Sequence, residues 1–239
     1  MVYRINLRAH LPKWITALFP SAIWRIPSGM QEAYLTFDDG PVPEVTPMVL
    51  DILKKYNIKA TFFCVGENVA RYPELFKQIK DEGHSIGNHT YNHIQGLKSN
   101  HSTYIENVEM ANDLLKSKLF RPPHGTLKKS QYNYIIQHYK LIMWDVISCD
   151  YDPHLSPDQC LANVLNFVRD GSIITFHDSV KAKKNVLGAL PKAIEAMLEK
   201  GYKFRKIEFH DKQTVPFQQK DTLWQKQKRS INRLQKKGA

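Results

Sequence analysis

With 239 residues and 42% hydrophobic content, the chain is long enough to bury a sizeable core, which excludes disorder of the whole. Cys64, Cys149 and Cys160 show no close pairing pattern, and Cys64 and Cys149 sit in apolar runs, so no disulfide framework is expected. The net charge of +11 belongs to the ends: residues 1–30 carry +4 and residues 220–239 carry +6, leaving +1 for the 189 residues between them and arguing against a nucleic-acid partner.

Residues 1–30 read as a basic extension. Its apolar cluster of Trp14, Ile15, Leu18, Phe19, Ile23 and Trp24 is interrupted by Pro20 and followed by no clear cleavage site, so a secretion signal is not expected. No run reaches the roughly 18 apolar residues of a spanning helix. The cluster and the basic ends suit a peripheral contact with an anionic membrane surface, but packing against the domain that follows is the preferred reading. The expected location is therefore cytoplasmic or peripheral to the membrane.

From residue 31 to 210 short apolar strands alternate with helical patterns. Strands are predicted over Ala33–Phe37, Lys59–Val65, His84–Asn88, Lys118–Arg121, Leu141–Val146, Ser172–Phe176 and Lys203–Ile207. Helices are predicted over Val45–Tyr56, Val69–Glu82, Ser102–Lys116, Lys128–His138, Pro157–Asp170 and Leu187–Lys200. Gly83 and Gly201 read as helix stops, and Ser156-Pro157 as a helix start. The alternation predicts a single α/β domain with a parallel sheet, for which a doubly wound sheet and a closed barrel both remain open. Residues 211–239 read as a basic tail.

Nearly every predicted strand ends in a residue able to do chemistry: Asp38 and Asp39, His89, Arg121, Asp145 and Asp150, then His177 and Asp178. In parallel α/β folds these ends converge on one rim, where sites are built. In Asp38-Asp39-Gly40-Pro41, adjacent carboxylates point in different directions, so one can bind a metal while the other acts as a base; the same run also suits a plain turn. His89 and His93 stand four apart and share a face if the segment is one helical turn, the spacing of a two-histidine metal site and equally of two surface histidines. One carboxylate and two imidazoles leave positions open for water and substrate, as catalytic zinc sites do, and the set also admits cobalt or nickel. In Arg121-Pro122-Pro123-His124-Gly125 the prolines hold an extended backbone from which the His124 N–H can face a developing oxyanion, although Arg121 also suits a structural ion pair. His177 reads as a general acid tuned by a carboxylate such as Asp150.

These segments, with Trp144 through Tyr151 and Phe176-His177, resemble in order the five motifs of the polysaccharide deacetylase family, also called NodB-homology or carbohydrate esterase family 4, across about Ala33 to Ile207. The resemblance implies a distorted (β/α) barrel of seven parallel strands with a metal, usually zinc. It implies Asp38 as base, Asp39, His89 and His93 as ligands, Arg121 orienting the base, and His177 as acid paired with Asp150. Three positions depart from the family pattern. Tyr151 replaces a tryptophan beside the substrate, Thr175 replaces a leucine and would make the acyl pocket more polar, and His124 stands where an aromatic is common. The expected activity is hydrolysis of N-acetyl groups from N-acetylglucosamine-containing sugars. A deacylase of lipid-linked or small N-acylated substrates is the enzyme alternative, and an inactive sugar-binding protein the non-enzyme one. The sequence sets no oligomeric state.

Overall fold

Strand β1 (Glu32–Asp38) is buried along its whole length, as a strand covered on both faces of a parallel sheet must be. The computed structural model describes residues 9–10, 16–17 and 19–209. The chain divides into Met1–Ile207 and Glu208–Ala239, and the second unit, including the basic tail, lies outside the described residues except for Glu208 and Phe209. Trp14, Ile15 and Leu18 of the apolar N-terminal cluster lie outside them too.

The other strands are β2 (Thr61–Cys64), β3 (Ser85–Asn88), β4 (Leu119–Phe120), β5 (Lys140–Leu141), β6 (Val146–Ile147), β7 (Ser172–His177) and β8 (Lys203–Phe204). The helices are α1 (Thr46–Lys55), α2 (Gly66–Arg71), α3 (Pro73–Asp81), α4 (His101–Leu115), α5 (Lys129–His138), α6 (Pro157–Leu165) and α7 (Lys183–Glu199). Seven strands form a curled parallel sheet in the order β5-β4-β3-β2-β1-β7-β6. Strand β8 takes the edge of β1 at Glu32 and Ala33, below the point where β2 begins opposite Thr36. This is the open (β/α) barrel that the resemblance implied.

The predicted strand Leu141–Val146 is two strands. Ile142 N–H still donates to the Phe120 carbonyl beside β4 (2.9 Å), whereas Asp145 N–H donates to the Ile173 carbonyl in β7 (3.0 Å). Within these few residues the chain crosses from one edge of the sheet to the other, and because both halves are buried the run reads as continuous. Residues Ile23 and Ile26 help close the gap. Ile23 N–H donates to the Leu141 carbonyl and Ile26 N–H to that of Gly171, both at 2.8 Å. Phe19 meets Tyr132 edge-on and Trp24 meets Trp144.

The predicted helix Val69–Glu82 is broken at Tyr72, where Pro73 supplies no N–H and forces the preceding residue out of the helical region, at φ −127° and ψ 59°. The helix predicted over Pro157–Asp170 stops at Leu165, and that predicted from Leu187 begins one turn earlier, at Lys183. Gly83 and Gly201 follow α3 and α7 with φ of 83° and 84°, and the Ser156 hydroxyl caps α6.

Alternation along the strands sorts the side chains. Phe37, Phe62 and Phe176 face outward and stack on one another beneath the helices. Thr36, Asp38 and Thr175 point inward, toward the barrel interior, where Thr36 and Asp38 meet Arg121. No helix among the described residues is long and apolar enough to cross a membrane.

Candidate active site

Asp38 closes the interior face of β1, and the chain then turns sharply through Asp39 at φ 82°. A left-handed conformation costs an L-residue strain, so the surroundings must hold it. Asn68 Nδ2 donates to the Asp39 carbonyl (2.8 Å), while the Asp178 carboxylate accepts from Gly40 N–H (3.0 Å) and the Thr46 hydroxyl (2.7 Å). A side chain at position 40 would lie 1.9 Å from Asp178 Oδ2, so Gly40 is required by close approach. Asp178 is thereby a strut for the turn. Burial pushes its carboxyl up to about 7.

The turn separates the two carboxylates. Asp38 Oδ1 accepts from Arg121 Nη1 at 2.7 Å. Asp39 Oδ1 faces the histidines, 3.2 Å from His93 Nε2 and 3.8 Å from His89 Nε2. Burial alone would raise the Asp39 carboxyl, but the hydrogen bond from His93 and the imidazoles of His177 and His89 outweigh it and hold it far below the usual carboxylate range.

The segment from His89 to His93 is not a helical turn. It is an irregular loop with Thr90 at φ 65° and His93 at φ 58°, held by the Asn107 side chain, which accepts from the N–H groups of Tyr91 and Asn92. The imidazoles converge all the same, with ring centroids 5.1 Å apart. His89 Nδ1 is engaged with the Arg121 carbonyl at 2.8 Å, which leaves Nε2 for the cavity. Burial pushes the His89 imidazole down to about 4, keeping it neutral and able to act as a ligand. One donor atom from each of Asp39, His89 and His93 lies within 4.8 Å of the others, a spacing that fits a single cation.

Arg121 is fully buried, and four hydrogen bonds satisfy it: to Asp38, to the Thr36 hydroxyl and to the carbonyls of Ile142 and Met143. The motif that follows is extended only at Pro122. Pro123–Gly125 is a short 3-10 turn with His124 at φ 58°, which carries the His124 ring to 4.9 Å from that of His93. Gly125 is needed on two counts, a φ of 66° and a Trp144 ring that a side chain there would strike.

On the opposite wall His177 ends β7. The buried Asp150 carboxylate holds it twice, accepting from the His177 N–H (2.8 Å) and from Nδ1 (2.7 Å). Burial would depress this imidazole, but the Asp150 charge dominates and raises it to about 9. Tyr151 stands edge-on to the His177 ring at 5.0 Å and is partly exposed.

Asp38, Asp39, His89, His93, His124, Tyr151 and His177 line one open cavity of about 230 Å³. Two expected members lie elsewhere. Thr175 is fully buried below the cavity, bonded to the Thr36 hydroxyl at 3.1 Å, so it does not make the wall more polar. Asp145 lies at the far end of the barrel, bound to Arg169 and to the Ser172 hydroxyl at the start of β7, because it follows the point where the chain changes edges. Three further residues, none with a role expected from the sequence, line the cavity: Trp144 and Ile147, which lie within the motif Trp144 through Tyr151, and Lys181, which lies outside every motif. Trp144 packs on Gly125.

The profile of the polysaccharide deacetylase family matches residues 26–140. A peptidoglycan-N-acetylglucosamine deacetylase of Bacillus cereus is 37% identical over 186 residues, covering 74% of this chain and 67% of that protein. Among solved structures, a peptidoglycan N-acetylglucosamine deacetylase superposes with a TM-score of 0.75 at 34% identity, over 82% of this chain and 95% of that one. A carbohydrate esterase family 4 pseudoenzyme from Bacillus anthracis superposes with a TM-score of 0.68 at 28% identity, over 79% and 70%.

Proposed function

Because the chain belongs to the polysaccharide deacetylase family, we propose that it is a hydrolase that removes N-acetyl groups from N-acetylglucosamine units of a glycan. One juxtaposition carries the reading: the converging Asp39, His89 and His93 donors share a cavity with Asp38 and His177, each of which has its own charged partner. The donor set suits zinc, with cobalt or nickel as chemical alternatives. A divalent cation bound there supplies positive charge that acidifies water and polarises the acetyl carbonyl.

The remaining roles fall to the chain's own groups. Asp38, oriented by Arg121, takes a proton from the attacking water. The water oxygen bonds to the acetyl carbon, and the His124 N–H meets the negative charge that develops on the carbonyl oxygen. As the C–N bond breaks, His177 gives its proton to the departing amine, and Asp150 stabilises and orients the imidazolium before that step. The products are acetate and a free amino sugar. Tyr151 supplies an apolar ring against which a sugar face packs.

A sugar-binding protein without catalysis is the competing reading, because this fold also occurs in a pseudoenzyme. Base, cation donors and acid are all present here with their partners, which favours hydrolysis. The test is acetate release from N-acetylglucosamine oligosaccharides by zinc-loaded protein, with Asp38→Asn as the blank. Release above the blank supports the deacetylase; zinc binding without release transfers the argument to a different N-acyl substrate or to sugar binding alone.

A further inference from the structure

Lys181 has no part in the chemistry above, yet its ammonium reaches into the cavity. It sits in the 3-10 turn Val180–Ala182, four residues beyond His177. Among the described residues that line the cavity it is the one lysine or arginine. Its Nζ lies 3.6 Å from Asp39 Oδ2 and 5.7 Å from the centre of the Tyr151 ring, and its side chain is 56% exposed. The base of the turn is fixed, with Ala182 fully buried and its N–H bonded to the Ser179 carbonyl at 3.0 Å. The long side chain is therefore the part free to move.

The partner that Lys181 has in the structure is one it loses when the site is loaded. Asp39 alone is an anion that attracts the ammonium, whereas Asp39 carrying a divalent cation presents net positive charge and repels it. Once displaced, the ammonium is left on the wall between Asp39 and Tyr151, beside His177. That is where the sugar carrying the scissile amide would lie under the proposed function, on which this inference rests.

We propose that Lys181 is a specificity-determining residue that selects glycans carrying a carboxylate on, or next to, the sugar that is deacetylated. Lysine provides a compact point charge on a flexible stem, and its ammonium forms charge-assisted hydrogen bonds with a carboxylate. A neutral chitin-type chain gives it no partner.

The experiment compares kcat/KM of the zinc-loaded protein on two tetramers. One is N-acetylglucosamine throughout; the other alternates N-acetylglucosamine with N-acetylmuramic acid bearing free lactyl carboxylates. The wild type should prefer the acidic tetramer, and Lys181→Met should lower the acidic-to-neutral ratio roughly tenfold, a charge-assisted bond discounted for partial exposure. Lys181→Arg should keep most of the preference, and Lys181→Glu should reverse it. The loss should appear in KM, and the wild-type preference should weaken as salt rises while that of Lys181→Met stays flat. Calorimetric binding of the acidic tetramer to zinc-loaded Asp38→Asn, with and without Lys181→Met, reads the same contact without turnover. If acetate is released but the ratio is unchanged in Lys181→Met and Lys181→Glu, Lys181 does not select the substrate and the deacetylase reading stands. Release from neither tetramer overturns that reading and this inference with it.

Discussion

Arg121 reaches Asp38 with a 2.7 Å hydrogen bond although its own side chain is wholly buried. The same Nη1 donates to Thr36, and the guanidinium lies 4.1 Å from the centre of the Phe63 ring. A buried charge persists only when it is paired and its donors are satisfied, so the two side chains stand or fall together.

Arg121→Met should therefore destabilise the fold by about 3–5 kcal/mol, the usual cost of leaving a buried partner uncompensated. Adding Asp38→Asn removes the orphaned carboxylate and should recover part of that loss. Denaturant unfolding of both single variants and the double variant gives the coupling. Strict additivity would mean that the pair is not coupled in the folded state.

The two adjacent carboxylates should separate by role. Asp39→Ala and His93→Ala should each lose zinc on gel filtration. Asp38→Asn should retain zinc and lose roughly 10²–10⁴ in the rate of acetate release, the range for removing a general base. Full activity in Asp38→Asn would transfer the proton-accepting role to another group.

Much of this site was legible in the sequence because strand ends in a parallel sheet share a rim. Asp38, His89 and His177 could be assigned to one place from the sequence, because each stands at the end of a predicted strand. What misled was backbone shape beyond the strands. His89 and His93 have helical spacing but lie on a loop with two left-handed residues, where Asn107, contributed by α4, holds the loop from outside. Asp145 reads as a strand-end residue because nothing in Leu141–Val146 marks the change of edge, which is made by backbone bonds to β4 and β7. Thr175 and His177 share a face of β7, and only depth in the barrel distinguishes a cavity wall from a buried layer. Lys181 has no partner nearby in sequence, so its proximity to Asp39 exists only in three dimensions.

Proton donation by His177 carries a pH signature. With its imidazole raised to about 9 by the Asp150 charge, the acid form prevails at neutral pH and is lost as pH rises through that value. Asp39 also favours the imidazolium, so a divalent cation on Asp39 lowers the alkaline limb of kcat below 9. Asp150→Asn keeps the shape but removes the dominant charge, leaving burial to depress the group. The alkaline limb should move to lower pH by a unit or more, about 1.4 kcal/mol per unit of lost imidazolium stabilisation. An unmoved limb would assign that ionisation to some other group.

Acid stability should report on a histidine far from any proposed chemistry. His84 is buried beside β2, where its Nδ1 accepts the Ala60 N–H at 3.0 Å and its ring meets that of Phe62 edge-on at 5.2 Å. Burial, aided by the nearby Lys59 charge, pushes the imidazole from 6.5 down to about 4. A folded-state value below the unfolded one means that the unfolded chain binds more protons between those limits, so stability is full above 6.5 and declines as pH falls toward 4. His84→Asn retains an acceptor for the Ala60 N–H without a group that titrates in this range. Its Tm should therefore fall less steeply from pH 6.5 to 4 than that of the wild type. Comparing the two proteins in the same metal-free state cancels the contribution of His89, which is depressed for the same reason. Equal slopes would mean that the fold accommodates a charged His84, and that its acid sensitivity arises from other groups.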